Sequence, residues 1–282
     1  MAADVARRRL FVVELGNNSI GVVDIAAGRL EKTIDGLKEP QGVGYSPKPD
    51  LVYVANAGDG FVHRFKGADL SPETAIDLGD DADNIRLDGD ERLLVGYGNG
   101  AIAVLDAQAG QKLSDIRLAA HPEAFVVDGA GHRLYVNLPG ASQIGVVDLD
   151  KGAMVGQWSV AGAAANFAMV FEAGGNRLFI AYRKPASIVT IDAGSGRVLS
   201  RTATCGDIDD VFFDTKRSRL YAICGEGFVV VFDVKSEPRE IRRIPTRTGA
   251  RTALFVPELD RLFVAIRSQG GAAAAIWVYR PE

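Results

Sequence analysis

The sequence predicts an all-β repeat fold, and three observations carry that expectation. One short phrase comes round seven times: RLFVVE from Arg9, LVYVAN from Leu51, RLLVGY from Arg92, RLYVNL from Arg133, RLFIAY from Arg177, RLYAIC from Arg219 and RLFVAI from Arg261. Its spacing is nearly fixed. The second residues are Leu10, Val52, Leu93, Leu134, Leu178, Leu220 and Leu262, in steps of 42, 41, 41, 44, 42 and 42. Short alternating apolar segments and turn clusters fill each interval. A period near 42 residues with four short strands per repeat is the signature of a β-propeller. The expectation is therefore a seven-bladed β-propeller spanning residues 1–282 as one domain.

The fourth repeat shows how each element is read. Ala124 to Val127 is a short apolar strand, and Asp128-Gly129-Ala130-Gly131 is a turn cluster. Arg133 to Asn137 is a second strand, and Pro139-Gly140-Ala141-Ser142 turns the chain. Gln143 to Asp148 alternates as a third strand, closed by the hairpin turn Asp150-Lys151-Gly152. Ala153 to Val160 is more polar, as an outer edge should be. From the centre outward these are strands a, b, c and d. Strand c recurs as SIGVVD, AIAVLD, QIGVVD, SIVTID and FVVVFD, ending at Asp24, Asp106, Asp148, Asp192 and Asp233. A turn follows each of these aspartates, so they are read as turn caps.

The combined phrase, RLYVxN followed by SIxVID, resembles the YVTN-type β-propeller repeat family over nearly the whole chain. The resemblance implies the fold and leaves activity open, since this architecture hosts many functions.

The ends differ from the middle. Only Arg280-Pro281-Glu282 follow Trp277-Val278-Tyr279, so blade seven is expected to lack its own outer strand. Met1 to Val5 leaves room for a stub of strand a in blade one. This pattern suggests a chain that starts inside its natural first blade, with a secretion signal lost alongside the missing piece. Residues 1–30 carry no signal-peptide layout, because acids and glycines interrupt every apolar run.

The net charge is −4 and the basic residues are scattered, which argues against nucleic acid as a partner. The run Arg7-Arg8-Arg9 reads as a solvated rim. No apolar stretch is long enough to span a membrane as a helix. A monomer is expected.

In a propeller, the d-to-a and b-to-c loops gather at one face around the channel mouth. The d-to-a loops place Gln41, Asp83, Glu123, Phe167, Asp209 and Thr252 at one repeat position, with Asn84, His121, Asn166, Asp207, Asp210 and Arg251 beside them. Equivalent positions point the same way, so a ring of oxygen groups is expected from Gln41, Asp83, Glu123, Asn166 and Asp209. Asp83, Glu123, Asn166 and Asp209 are the candidate ligands for a Ca²⁺ or Mg²⁺ ion, since hard cations take oxygen ligands. The set resembles the Glu, Asn and Asp cation sites of propeller hydrolases and lactonases. The plainer reading is a solvated acidic funnel.

His121 is the candidate general base or metal ligand. Arg251 is either a clamp for a ligand carboxylate or phosphate, or an internal partner of Asp209 or Asp210. Gln41, Asn84, Tyr97 and Tyr182 are the remaining candidate ligand contacts. Tyr97 and Tyr182 end equivalent b strands, where a ring either stacks on a planar ligand or packs against the next blade. Cys205 precedes strand a of blade six and Cys224 ends strand b of the same blade, so they are expected to face each other. They form a disulfide, a redox or soft-metal pair, or two free thiols. A disulfide favours a compartment outside the cytoplasm.

Two functions fit these residues. One is a periplasmic or secreted binding or scaffold module that takes a small molecule, cation or protein at the channel mouth, with cytoplasmic residence the alternative. The other is a metal-dependent hydrolase, lactonase or lyase. No GxSxG or HExxH motif supports the enzyme.

Overall fold

The computed structural model describes residues 1–89, 91–128 and 132–282. The fold is a seven-bladed β-propeller. Blade one is β1 (Ala2–Asp4), β2 (Arg9–Glu14), β3 (Ser19–Asp24) and β4 (Arg29–Ile34). Blade two is β5 (Pro40–Ser46), β6 (Leu51–Asn56), β7 (Phe61–Lys66) and β8 (Ile76–Asp77), and blade three is β9 (Ala82–Asp88), β10 (Arg92–Tyr97), β11 (Ala101–Asp106) and β12 (Lys112–Arg117). Blade four is β13 (Phe125–Val127), β14 (Arg133–Leu138), β15 (Gln143–Asp148) and β16 (Ala153–Trp158). Blade five is β17 (Ala164–Glu172), β18 (Arg177–Lys184), β19 (Ala186–Asp192) and β20 (Val198–Ala203). Blade six is β21 (Ile208–Asp214), β22 (Arg219–Cys224), β23 (Phe228–Asp233) and β24 (Arg239–Pro245), and blade seven is β25 (Ala253–Val256), β26 (Arg261–Ile266) and β27 (Ala275–Tyr279).

Each of blades one to six is a four-stranded sheet in chain order, and blade seven is a three-stranded one. Among the described residues both expected end features are seen, the three-residue β1 and a three-stranded blade seven. The turn at Gly129-Ala130-Gly131 lies outside the described residues.

The repeated phrase is the b strand of every blade. Its second residue is always core: Leu10, Val52, Leu93, Leu134, Leu178 and Leu220 are 0% exposed and Leu262 is 2%. Each such burial stabilises the fold by about 2 kcal/mol.

In blades one and five the first residue of the phrase acts between blades. Arg9 donates to the carbonyls of Gly67 and Ala68 in the c-to-d turn of blade two. Arg177 does the same to Val234 and Ser236 in blade six. Where blade two has Leu51 instead, Arg64 of β7 reaches Gln108 in blade three. In blades two and four the third residue is a tyrosine that repeats the device: Tyr53 donates to the Ala107 carbonyl at 2.6 Å and Tyr135 to that of Ala193 at 2.9 Å. The repeat thus encodes a blade core throughout and, in blades one, two, four and five, a latch to the next blade.

The a-to-b turns add ion-pair clasps. Buried Asp214 accepts from Arg217 and Tyr221, and Arg217 also holds Asp260 of blade seven at 2.7 and 2.8 Å. Arg217 holds the Asp260 carboxyl down to about 2. Blade one repeats the clasp with Asp4, Arg7, Tyr45 and Asp50. Arg7 and Arg9 are therefore structural, which corrects the reading of a merely solvated rim. The aspartates ending strand c do cap their turns: Asp24, Asp106, Asp148, Asp192 and Asp233 each accept a backbone N–H two to three residues on.

The chain divides into two compact units, Met1–Pro122 with Val147–Val155, and Glu123–Val146 with Gly156–Glu282. In the first, apolar side chains of blades one and two form one core and those of blades two and three another. In the second, cores lie between blades four and five and between blades five and six.

Candidate functional site

The d-to-a segments are shorter as loops than the sequence suggests, because the inner strands start early. Gln41, Asp83, Asn84, Asn166, Phe167, Asp209 and Asp210 all lie inside inner strands. Strand bulges let side chains near these starts leave the strict alternation, with register shifts in β17 between Asn166 and Met169 and in β21 between Ile208 and Asp210.

In the second unit the charged groups are paired. Arg251 Nη1 lies 2.9 and 3.0 Å from the two carboxylate oxygens of Asp207, and its Nε lies 3.0 Å from Asp209 Oδ2. Arg183, just past the end of the RLFIAY phrase, donates to Asp209 from Nη2 and to the Ile208 carbonyl from Nε at 3.1 Å. Its guanidinium stacks over the Phe167 ring, 3.8 Å from the centroid. Two arginines thus neutralise two aspartates. Burial works against the Arg251 charge, but Asp209 and Asp207 outweigh it and raise the guanidinium further.

Two backbone features make room for this network. Asp207 is in the left-handed region at φ 54. Gly225 faces it, and a Cβ there would sit 2.1 Å from Asp207 Oδ2, so a larger residue would displace that carboxylate. The Asp207 side chain remains 43% exposed, the most open group of the set. Glu226 caps the adjoining loop by accepting from Gly206 N at 2.8 Å.

In the first unit, His121 sits among acceptors. Its Nδ1 lies 2.6 Å from the Gly98 carbonyl and 3.5 Å from Asp81 Oδ2, and its Nε2 lies 3.6 Å from Asp83 Oδ2. A carbonyl oxygen only accepts, so Nδ1 carries a proton, and the carboxylate beside Nε2 favours a second one. Asp83 is the main cause that raises the ring to about 9, against burial and with help from Gly98 and Asp81. A ring so raised favours the imidazolium at neutral pH, which argues against the general-base reading. Asp81 is itself pushed up, first by burial and then by Asp83, Asp80 and Glu39, with His121 opposing. Gly42 permits the close approach of β5 to β9, since a Cβ would meet the Asp83 carbonyl at 2.1 Å.

Other candidates leave the site. Asn166 is 0% exposed, and its Nδ2 donates to Asn137 Oδ1 and the Gln143 carbonyl, while Asn137 donates to the Phe167 carbonyl. Asn166 is an interior strut between blades four and five, not an open ligand. Tyr182 is 3% exposed and packs in the core between those blades, so it cannot stack on a ligand. Tyr97 leans across its own blade, donating to Asp115 at 2.8 Å and accepting from Lys112 at 3.2 Å. Gln41 is exposed, Asn84 is half-buried, and Glu123 is half-buried in a segment whose N–H donates to the Asn137 carbonyl. Arg251 takes the internal-partner role, with Asp207 and Asp209; Asp210 instead accepts from Ala253 N of blade seven at 2.8 Å. Among the described residues no three His, Cys, Asp or Glu side chains are grouped as a metal ion would require.

Cys205 and Cys224 form a disulfide, with Cα atoms 6.0 Å apart, inside the disulfide-competent range. Both are buried. The facing residue across the strand pair is Ile208, however, not Cys205. The bridge runs from the loop ahead of β21 to the end of β22 and pins the loop that carries Asp207. Arg183 and Asp81 were missed by the repeat alignment. The signal for Arg183 was a basic residue extending the b strand toward an acidic loop.

No protein-family model matches the chain, and no curated protein matches it. Among solved structures it is similar to the hydrazine synthase of Kuenenia stuttgartiensis, with a TM-score of 0.85, 16% identity, and coverage of 97% of this chain and 92% of that one. It is also similar to a functionally unknown protein from Desulfotomaculum acetoxidans, with a TM-score of 0.78, 13% identity, and coverage of 96% and 99%. At these identities the likeness shows the fold alone.

Proposed function

We propose that this chain is a YVTN-type β-propeller binding or scaffold module, resident outside the cytoplasm, that takes a polar small molecule or a protein at the loops of blades five to seven. The observation that carries this reading is the compensated network of Arg183, Arg251, Asp207 and Asp209, which presents both signs of charge within one small area. Its carboxylate oxygens already face guanidinium groups, which suits recognition of a ligand with its own paired charges better than capture of a bare cation. The disulfide supports the oxidising compartment.

Thermal shift against panels of zwitterionic, anionic and cationic small molecules tests the reading. A ligand at about 100 times its Kd should add about 2.7 kcal/mol of stability. The shift should vanish in Arg251→Met and Arg183→Met. A ligand whose shift survives both substitutions would move the site elsewhere.

A second reading keeps the metal-dependent hydrolase, lactonase or lyase. The observation that favours it is the grouping of Asp80, Asp81 and Asp83 around the start of β9; burial first raises the Asp81 carboxyl, and Asp83 and Asp80 add to the rise while His121 opposes it. A Ca²⁺ or Mg²⁺ ion there would offset their charge. Loss of cation binding in Asp83→Asn would support this reading.

A further inference from the structure

The two arginines at the loops of blades five to seven are only partly engaged. Arg251 donates from Nη1 to Asp207 and reaches Asp209 from Nε. Arg183 donates from Nη2 to Asp209 and from Nε to the Ile208 carbonyl. A guanidinium spreads its five N–H donors over three nitrogens. Arg251 Nη2 and Arg183 Nη1 therefore keep their donors, with no partner among the described residues. Neither nitrogen is sealed in the interior, so each can donate to a group arriving from solvent. Asp209 lies between the two guanidiniums and accepts from both, which keeps their free ends in one small area.

The carboxylate side is open as well. The Asp207 side chain is 43% exposed, and each of its oxygens accepts from Arg251 and keeps a second lone pair. The groups are held in place from behind. The Cys205–Cys224 bridge pins the Asp207 loop, and the Gly225 N–H donates to the Asp207 carbonyl at 2.8 Å. The Phe167 ring underlies the Arg183 guanidinium. A ligand meets side chains that are already ordered, which lowers the entropy cost of binding.

Charge and spacing narrow the ligand class. Arg183 and Arg251 balance Asp207 and Asp209, so the four groups sum to zero. A singly charged ligand would leave a net charge in the network, and a zwitterion would not. The opposite charges also stand in direct contact, with Arg251 Nη1 at 2.9 and 3.0 Å from the Asp207 oxygens. A ligand that places its cation on Asp207 and its anion on the guanidiniums must hold its own charges as close together. One carbon between ammonium and carboxylate meets that condition, and each added methylene pulls the charges apart. Taking this network as the binding surface proposed above, we infer that it takes a free α-amino acid. The ammonium sits on Asp207, and the carboxylate lies across Arg183 Nη1 and Arg251 Nη2 in the forked geometry that guanidinium groups favour.

The test titrates the full chain by calorimetry with α-, β- and γ-aminobutyrate, isomers that differ only in the separation of their two charges. Butyrate and butylamine, which carry one charge each, complete the set. The α isomer should bind most tightly. The γ isomer should be weaker by roughly tenfold or more, the effect of losing one charge-assisted contact. Arg251→Met and Asp207→Asn should each weaken the α isomer by a similar factor, with an unchanged circular dichroism spectrum as the control for folding. Binding of the γ isomer, butyrate or butylamine as tight as that of the α isomer, and lost in Arg251→Met, would overturn the amino-acid assignment while leaving the binding surface in place. Binding of the α isomer that both variants retain, or no heat from any of these probes, would overturn the assignment and the surface together.

Discussion

Raising the pH through the range where His121 loses its proton should weaken the fold by a calculable amount. The ring stands at about 9 against an ordinary 6.5. At roughly 1.4 kcal/mol per pH unit, the rise corresponds to at most about 3 kcal/mol. The side chain is 31% exposed, and screening reduces the expected figure to about 1–2 kcal/mol. The sign follows from the direction of the rise. A folded-state value above the unfolded one adds stability that is complete below pH 6.5 and is lost as pH climbs through about 9. Urea unfolding at pH 6 and pH 9.5 (values that bracket this transition), on wild type and on His121→Gln, isolates the contribution, because other titrating groups cancel in the comparison. Wild type should lose about 1–2 kcal/mol more than the variant between the two pH values. Parallel losses in the two proteins, or a His121 ring that titrates near its ordinary value by NMR, would refute the reasoning and restore His121 as a candidate base.

Other outcomes follow from the same geometry. Cys224→Ser should cost about 3 kcal/mol by the loop-entropy relation for a bridge of this span, measured by denaturant midpoint under non-reducing conditions. Arg217→Met should cost about 3–5 kcal/mol by leaving the buried Asp214 carboxylate without its cation, while Arg242→Met on the exposed surface should cost less than about 1 kcal/mol. Gly225→Ala should push the Asp207 carboxylate off Arg251 Nη1, seen as a change in the Arg251 Nη–H resonances, with only a small loss of stability.

The fold was legible because its information is periodic. The b-strand phrase specifies a buried second residue and, in several blades, an arginine or tyrosine latch, so a count of copies is a count of blades. The short β1 and the three-stranded blade seven were legible for the same reason. The site was legible only in outline. Repeat alignment places a residue along a strand but does not say which neighbour its side chain meets. Tyr97 and Tyr182 hold the same repeat position, yet one leans onto Lys112 and Asp115 while the other fills a core. Asn166 aligned with the acidic ring, but Asn137, unremarkable in the sequence, draws it into a buried amide pair. Arg183 escaped notice because it lies past the end of the repeated phrase, where the period carries no signal. The two cysteines were placed on the right blade, though the bulge in β21 sets Ile208 rather than Cys205 opposite Cys224.

The central claim is that the carboxylates of blades five to seven are already neutralised by arginines and form a binding surface, not a cation site. Isothermal titration of Ca²⁺ and of Mg²⁺ into wild type, Asp209→Asn and the double variant Arg183→Met with Arg251→Met tests it most directly. The account predicts no heat that depends on Asp209 in the wild type, and new, weak cation binding in the double variant, where Asp207 and Asp209 lose their partners. Stoichiometric binding to the wild type that Asp209→Asn abolishes would contradict it.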